Sequence, residues 1–480
     1  MKFRVRFAPS PTGYLHIGGA RTCFYNYLMA KHENGPLILR IEDTDLERSS
    51  REFENEQIAD FKWLGIEFDE SPNKPGDYGP YRQSERTQLY LKTAQELIQS
   101  NNAFYCFCSD QELESKKEQA LAQGKHPHYD GTCYHLSKED VESRISRGQR
   151  PAIRFKAPFK KYAFSDLVRG DVEFPEDMVG DFVIIRSNGM PTYNYCCVID
   201  DALMDISHVI RAEEHLNNTV RQLMIYEALG KNPPAFAHVS LLIGKDRQKL
   251  SKRHGATSVR TYREEGYFPE ALLNYLTLLG WSHPEEKDVF TTQDIVPLFD
   301  FSRFSKSPAV YDVEKLNWIN GQHMKAMETS LLEQRFTQYL EQEVKDKSGL
   351  LAATSDYRLR FLGLFKDKAD TLLQLQQHYQ ELFKVSFETD AEYQEMMNLE
   401  STPKLRQYLL NKLSEIKNVE FVSDSIVGEW MDGAKKELGI KGKPLFMGTR
   451  VLLTGRAHGP DLKVLLSLTP VSIILQRLSL

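Results

Sequence analysis

No apolar run in this chain approaches the roughly 18 residues that a membrane helix needs, no stretch is low in complexity, and no segment repeats. The start, MKFRVRF, lacks the apolar core of a signal peptide, so a cytoplasmic chain without membrane contact is expected. Cysteine is scarce. The six, Cys23, Cys106, Cys108, Cys133, Cys196 and Cys197, are spaced unlike a disulfide framework and read more easily as metal ligands plus buried thiols. Both common phosphate-loop signatures are missing, since there is neither G-x-x-x-x-G-K-[ST] nor G-x-G-x-x-G. A strong excess of positive charge is lacking too: a net charge of −6 argues against a protein that coats nucleic acid indiscriminately. The balance is uneven, however. Residues 401–480 hold twelve Lys and Arg against seven Asp and Glu, which leaves −11 on the first 400.

What is present is ordinary in bulk and specific in detail. With 41% hydrophobic and 27% charged residues the composition is that of a globular protein, and 480 residues suggest roughly three domains. Phe3, Val5 and Phe7 alternate with Arg4 and Arg6, the period of a half-buried strand. A stiff, then glycine-bearing loop follows in "APSPTGYLHIGGAR". From Ala20 the apolar positions Ala20, Cys23, Phe24, Tyr27 and Leu28 mark one helical face, until Asn34 and Gly35 stop the helix. "LILRIEDTD" then reads as a second strand, with Leu37, Leu39 and Ile41 on one face and Arg40 and Glu42 on the other. Strand, loop, helix and strand make the first unit of a parallel α/β nucleotide-binding sheet. An anion fits where the strand ends and the helix begins, because free N–H groups point there, and Gly18 and Gly19 allow a ligand close to the backbone.

His16-Ile17-Gly18-Gly19 resembles the "HIGH" signature of class I aminoacyl-tRNA synthetases and related nucleotidyltransferases. A glycine-rich turn with a surface histidine explains it as well on its own. About 230 residues later, Lys249-Leu250-Ser251-Lys252-Arg253 resembles the "KMSKS" loop of the same class. Alone this basic run reads as a solvated face. Together and in this order the two fit one task, because moving an adenylyl group places negative charge on phosphate oxygens that two loop lysines can meet. "RIEDTD" at 40–45, "GPYRQSER" at 79–86, "PTYNY" at 191–195, "HVIRAEEH" at 208–215 and "LSKRHGA" at 250–256 extend the likeness. The set is similar to the bacterial glutamyl-tRNA synthetase family, and continues through "FPEALLNYLTLLGW" at 268–281 and "EKLNWINGQH" at 314–323.

The resemblance implies an α/β fold class: a class I Rossmann-type catalytic domain with an inserted α+β acceptor-binding domain and a C-terminal all-α anticodon-binding domain. The expected divisions are 1–102 and 191–255 for the two catalytic halves, 103–190 for the insert, 256–325 for a stem-contact domain and 326–480 for the helical domain. It implies ATP-dependent ligation of L-glutamate to tRNA(Glu) through a glutamyl-adenylate, with Mg²⁺ accompanying ATP, in a monomer. No dedicated carboxylate cage for Mg²⁺ is legible. Carried onto this chain, the catalytic set is His16, Lys249 and Lys252. ATP falls to Pro9, His16, Gly18, Gly19, Lys249, Ser251 and Lys252. Glutamate falls to Arg6, Ser10, Glu42, Tyr193 and Arg211, with the two arginines on carboxylate oxygens, Glu42 on the ammonium and Tyr193 on the side chain. A salt bridge at a helix start is the competing reading of Arg211.

Inside the insert, "CFC" at 106–108 is followed after 24 residues by "CYH" at 133–135. Cys106, Cys108, Cys133 and His135 supply four ligands for a closed structural zinc site. The resemblance offers Tyr129 in place of His135, and three buried thiols without metal are the plain alternative. Beyond the lysine loop, "LLEQRFTQYLEQEV", "KADTLLQLQQHYQELF" and "PKLRQYLLNKLSEI" have helical periodicity. Within "LFKDKADTLL", Lys368 falls where relatives that charge only tRNA(Glu) carry an anticodon-reading arginine. A form that also charges tRNA(Gln), a cofactor-making nucleotidyltransferase and a silent tRNA-binding homologue are the alternatives.

Overall fold

The computed structural model describes residues 2–45, 47–250, 257–344, 349–416 and 419–480. The chain divides into two compact units, Met1–Thr261 with Leu272–Val313, and Tyr262–Ala271 with Glu314–Leu480.

In the first unit the opening alternation forms strand β1 (Val5–Phe7), and helix α1 (Ile17–His32) leaves the loop that follows. The helix begins at Ile17, so Gly18 and Gly19, expected in the loop, form its first turn. His16 allows this by capping: its Nδ1 accepts the Gly18 N–H at 3.0 Å. At the far end Glu33 caps the helix and Asn34 takes a left-handed φ of 51°. Strand β2 (Leu37–Leu39) then lies parallel to β1, with Val5 opposite Leu37 and Phe7 opposite Leu39.

The polar faces expected of these two strands are not wet. Arg4, Arg6 and Arg40 are 8%, 4% and 0% exposed, because a parallel sheet is covered on both sides. Each guanidinium instead meets a carboxylate: Arg4 holds Glu70 at 2.7 and 2.6 Å, and Arg6 and Arg40 share Asp201. Pairing of this kind offsets the cost of taking these charges out of water.

Helices α2 (Arg51–Trp63) and α3 (Thr87–Gln99) follow, and then the insert. It contains β3 (Ala103–Cys106), α4 (Asp110–Ala122), α5 (Lys138–Ser146), β4 (Ala152–Phe155), β5 (Tyr162–Asp166), β6 (Gly170–Phe174) and β7 (Phe182–Ile185). Strands β3, β4 and β7 form an antiparallel sheet of their own. The β5–β6 hairpin leaves that sheet. After α6 (Tyr193–Leu203), β8 (His208–Ala212) and α7 (Leu216–Ala228), strand β9 (Ala235–Val239) pairs parallel with β8 on one side and with Asp166 of β5 on the other. The β8 end is tied to β1 by the N–H groups of Ser207 and His208 on the Arg4 carbonyl, at 2.9 and 3.3 Å. Phe155, Ile184, Tyr195, Val198, Val209, Met224 and Phe236 belong to one core that runs beneath both sheets.

The second unit is helical, with segments that include Thr329–Tyr339, Ser355–Phe365, Leu372–Phe383, Ser401–Ser414, Asp424–Glu437, Lys443–Thr454 and Val471–Leu478. The stripe read in "PKLRQYLLNKLSEI" joins its core: Leu405 and Leu409 pack with Val427, Trp430, Leu445, Leu452 and Ile474. Arg477 ties helix ends by donating to the carbonyls of Glu381, Lys384 and Leu453. No helix among the described residues is long and apolar enough to cross a membrane.

Candidate active site

The loop after β1, the start of α1, the segment after β2, the start of α6 and the end of β8 surround a cavity of about 800 Å³. Arg6, Ser10, His16, Gly18, Gly19, Glu42, Tyr193, Arg211 and Lys249 all line it. Residues far apart in the chain meet there because β1, β2 and β8 end side by side. Pro9 stands behind the wall, where its carbonyl accepts the Glu42 N–H at 3.0 Å and sets that residue's backbone. Ser251 and Lys252 lie outside the described residues.

One end of the cavity suits phosphate. Since His16 Nδ1 accepts from Gly18, its proton sits on Nε2 and is free to donate. A Cβ at Gly18 would come within 3.3 Å of that Nδ1 and crowd the cap. Lys249 Nζ rests on Glu214 Oε2 at 2.5 Å, and 69% of its side chain is exposed, so it can leave for another anion at small cost.

The other end is charged and dry. Arg6 donates to Asp201 through Nε at 3.0 Å and Nη2 at 3.3 Å, and Arg40 reaches Asp201 at 2.6 Å and Glu42 at 3.2 Å. Asp200, one residue before Asp201, takes Arg86 Nε at 2.7 Å. Burial opposes the Asp201 charge, but Arg40 and Arg6 prevail and draw its pKa down to about 2. For Glu42 burial wins over the same two arginines and pushes the carboxyl up. Tyr193 Oη lies 3.2 Å from His215 Nδ1; partial burial first, then Arg211, bring that imidazole down to about 4, so it is neutral.

Unlike Arg6 in the same cavity wall, but like Arg21, which donates to the carbonyls of Leu279 and Ser240, Arg211 bonds only neutral groups. Its Nε donates to His238 Nε2 at 3.0 Å, and its Nη2 to Thr219 Oγ1 at 2.8 Å and the His215 carbonyl at 3.4 Å. Those partners are all neutral. Its Nη1 is buried and has no hydrogen-bond partner. The competing reading, a salt bridge at a helix start, does not describe it: Glu213 pairs with Arg169 and Glu214 with Lys249. A 5% exposed guanidinium with an unmet donor has the chemistry to pair with an anion.

Comparison with known proteins agrees with this geometry. Residues 2–318 match the family described as tRNA synthetases class I (E and Q), catalytic domain, and residues 322–480 match an anticodon binding domain. A glutamate–tRNA ligase of Carboxydothermus hydrogenoformans is 45% identical over 96% of this chain and 95% of its own. The chain belongs to the glutamate–tRNA ligase family. A glutamate–tRNA ligase 1 of Caldicellulosiruptor saccharolyticus is 45% identical over 100% of this chain and 98% of its own. A crystal structure of a glutamate tRNA ligase from Elizabethkingia meningosepticum, in complex with its amino acid, superimposes with a TM-score of 0.86 at 31% identity, covering 100% of this chain and 99% of that one.

Two further sites of this class I ligase were legible in part. The Sγ atoms of Cys106, Cys108 and Cys133 lie within 4.8 Å of one another, the one group of metal-binding type found among the described residues. His135, the expected fourth member, is outside the group and exposed, past the turn in which Tyr134 N–H bonds the Gly131 carbonyl. The Tyr129 phenol is there instead, 3.6 Å from Cys106 Sγ, 3.5 Å from Cys108 Sγ and accepting the Cys133 N–H at 2.9 Å. The thiols form no disulfide, and burial raises Cys108 to about 11 without a counter-cation. In the helical unit, Lys368 lines a cavity of about 530 Å³ with Arg450, Arg456, His458 and Arg477. Arg450 Nη1 is buried there with no hydrogen-bond partner.

Sequence reading missed His215, His238, Asp166 and the Asp200–Asp201 pair as parts of the site. His215 stood inside the quoted "HVIRAEEH", and two adjacent aspartates in the apolar "CCVIDDAL" were a visible sign of buried partners.

Proposed function

We propose that the protein joins L-glutamate to tRNA(Glu) in two steps, using ATP, for protein synthesis. The observation that carries this reading is the unmet Nη1 donor of Arg211, a guanidinium that lines the cavity and is held there by neutral groups. One glutamate carboxylate pairs with Arg211, the ammonium lies by Glu42, and Tyr193, Arg6 and Ser10 complete the amino-acid end. The free α-carboxylate oxygen attacks the α-phosphorus of ATP in line; the bond to the β-phosphate oxygen breaks and pyrophosphate leaves. A carboxylate is ionised already, so positioning and charge neutralisation suffice. His16 donates to phosphate oxygens from Nε2, Gly18 and Gly19 admit the nucleotide, and Lys249, together with Ser251 and Lys252, meets the departing pyrophosphate. Mg²⁺ would supply further charge neutralisation when bound with ATP. The terminal ribose 2′-OH of the tRNA then displaces AMP from the mixed anhydride.

The insert holds the acceptor end, residues 256–325 contact the stem, and the helical half takes the anticodon. Cys106, Cys108, Cys133 and Tyr129 would hold a structural Zn²⁺: three soft donors and an oxygen surround one point, as a closed site requires. The protein acts in the cytoplasm as a monomer. The test is pyrophosphate exchange with glutamate, ATP and tRNA together. Equal exchange with glutamine would overturn the reading.

A further inference from the structure

Arg211 carries the proposed amino-acid recognition, and a long guanidinium side chain is useful only if it is held still. What holds it is a chain of buried groups from another part of the fold. Asp166 ends strand β5, where the hairpin of the insert joins the catalytic sheet, and His238 faces it on β9. Asp166, His238 and Thr219 are 3%, 0% and 0% exposed.

The hydrogen bonds to Asp166 and Arg211 permit one tautomer of His238. Asp166 Oδ1 accepts the N–H groups of Val168, Arg169 and His238, at 2.9, 2.8 and 3.2 Å, which keeps the carboxylate in place. Its Oδ2 lies 2.6 Å from His238 Nδ1, so Nδ1 carries the proton and Nε2 is left as an acceptor. That lone pair receives the Nε–H of Arg211 at 3.0 Å. Thr219 takes Nη2 beside it at 2.8 Å. One edge of the guanidinium is thereby consumed by neutral acceptors, and Nη1 is left without a hydrogen-bond partner in a residue that lines the cavity. The other tautomer would set N–H against N–H.

We propose that His238, locked in one tautomer by Asp166, is a positioning residue that aims Arg211 at the substrate carboxylate. The inference rests on the reading that Arg211 binds glutamate. Arg169, which donates to the His238 carbonyl at 3.2 Å and pairs with Glu213, closes the same hairpin turn onto β9. The insert therefore contributes to the amino-acid pocket through Asp166, although none of its residues need touch glutamate. Burial lowers the His238 pKa and the Asp166 bond opposes that, which agrees with a neutral ring.

The experiment is steady-state aminoacylation by the full chain with tRNA, measuring KM for glutamate and for ATP and kcat in His238→Leu, His238→Gln, Asp166→Asn, Arg211→Ala and the double variant Arg211→Ala/His238→Leu. His238→Leu removes the acceptor, and Asp166→Asn, of the same shape, lets the ring present Nε2–H to Arg211. Both should raise the glutamate KM roughly ten- to a hundredfold, with the ATP KM within about twofold. His238→Gln, which restores a neutral acceptor, should recover most of the loss. In the Arg211→Ala background, His238→Leu should add nothing. An unchanged glutamate KM in both His238→Leu and Asp166→Asn, while Arg211→Ala raises it, overturns this inference alone; so does a matching rise in the ATP KM or an additive double variant. No effect of Arg211→Ala overturns the reading beneath it and the inference with it.

Discussion

Asp201 grips Arg6 with both carboxylate oxygens, at 3.0 and 3.3 Å, and gives one of the same oxygens to Arg40 at 2.6 Å. Arg6 therefore enters the cavity with its charge already answered, whereas Arg211 does not. Asp201→Asn would leave two buried guanidiniums short of one charge, and should destabilise the fold by about 3 kcal/mol in urea unfolding. The wild type carries a matching acid signature. With a folded pKa near 2 against a reference of 3.8, this stabilisation is complete above 3.8 and is lost as pH falls towards 2. The variant should show a shallower loss of stability in that window.

Arg211→Ala should lower kcat/KM for glutamate by roughly 2 to 5 kcal/mol, because a carboxylate is stranded in a dry pocket. Arg211→Lys should recover little, since a single ammonium cannot satisfy His238, Thr219 and the substrate together. Wild-type kinetics in Arg211→Ala would remove the residue from the site.

His215 supplies a second pH dependence. Its folded pKa of about 4 lies below the reference of 6.5, so between these values only the unfolded chain takes up the proton. Stability should be flat above 6.5 and fall as pH drops from 6.5 towards 4. Urea midpoints at pH 7.5 and 5 should differ less in His215→Gln than in the wild type; equal differences would show that the ring titrates normally.

The metal prediction separates His135, which the spacing favoured as fourth ligand, from Tyr129, which the resemblance offered in its place. Elemental analysis after gel filtration should find one zinc per chain, lost in Cys106→Ser, depleted in Tyr129→Phe and retained in His135→Ala. Metal retained by Tyr129→Phe and lost by His135→Ala would reverse the assignment. A chain without metal would leave three buried thiols.

In the helical unit, Lys368 shares a cavity with three arginines, so phosphate and base contacts are both within its chemistry. Binding of tRNA should weaken as salt rises, and Lys368→Ala should reduce the slope by about one counterion if the lysine meets a phosphate. If it reads a base, unfractionated tRNA charged with labelled glutamate should instead show a changed pattern of acylated species. A variant with the wild-type slope and pattern would show that Lys368 does neither.

Local order was legible in the residues because it depends on near neighbours. Phe3 to Phe7, the glycines at 18 and 19, and Asn34-Gly35 mark a strand, a close turn and a helix stop through backbone preferences that act within a few positions. The helical stripes of the second unit were equally plain, and so was the family, since separate short motifs carried it. Tertiary structure alone decided which partner each polar group has. Nothing in "RFAP" says that Arg6 is spent on an aspartate 195 residues later, or that Arg40 sits fully buried beside it. Spacing favoured His135 over Tyr129, yet beyond the turn at Gly131 to Tyr134 the histidine lies outside the thiol group and the phenol lies beside it. Nor does "AFAHV" announce that His238 holds a proton for Asp166 and a lone pair for Arg211. The reason is physical: periodicity reports which side chains leave water, whereas a buried charge is settled by whatever donor or acceptor the folded sheet brings within about 3 Å of it.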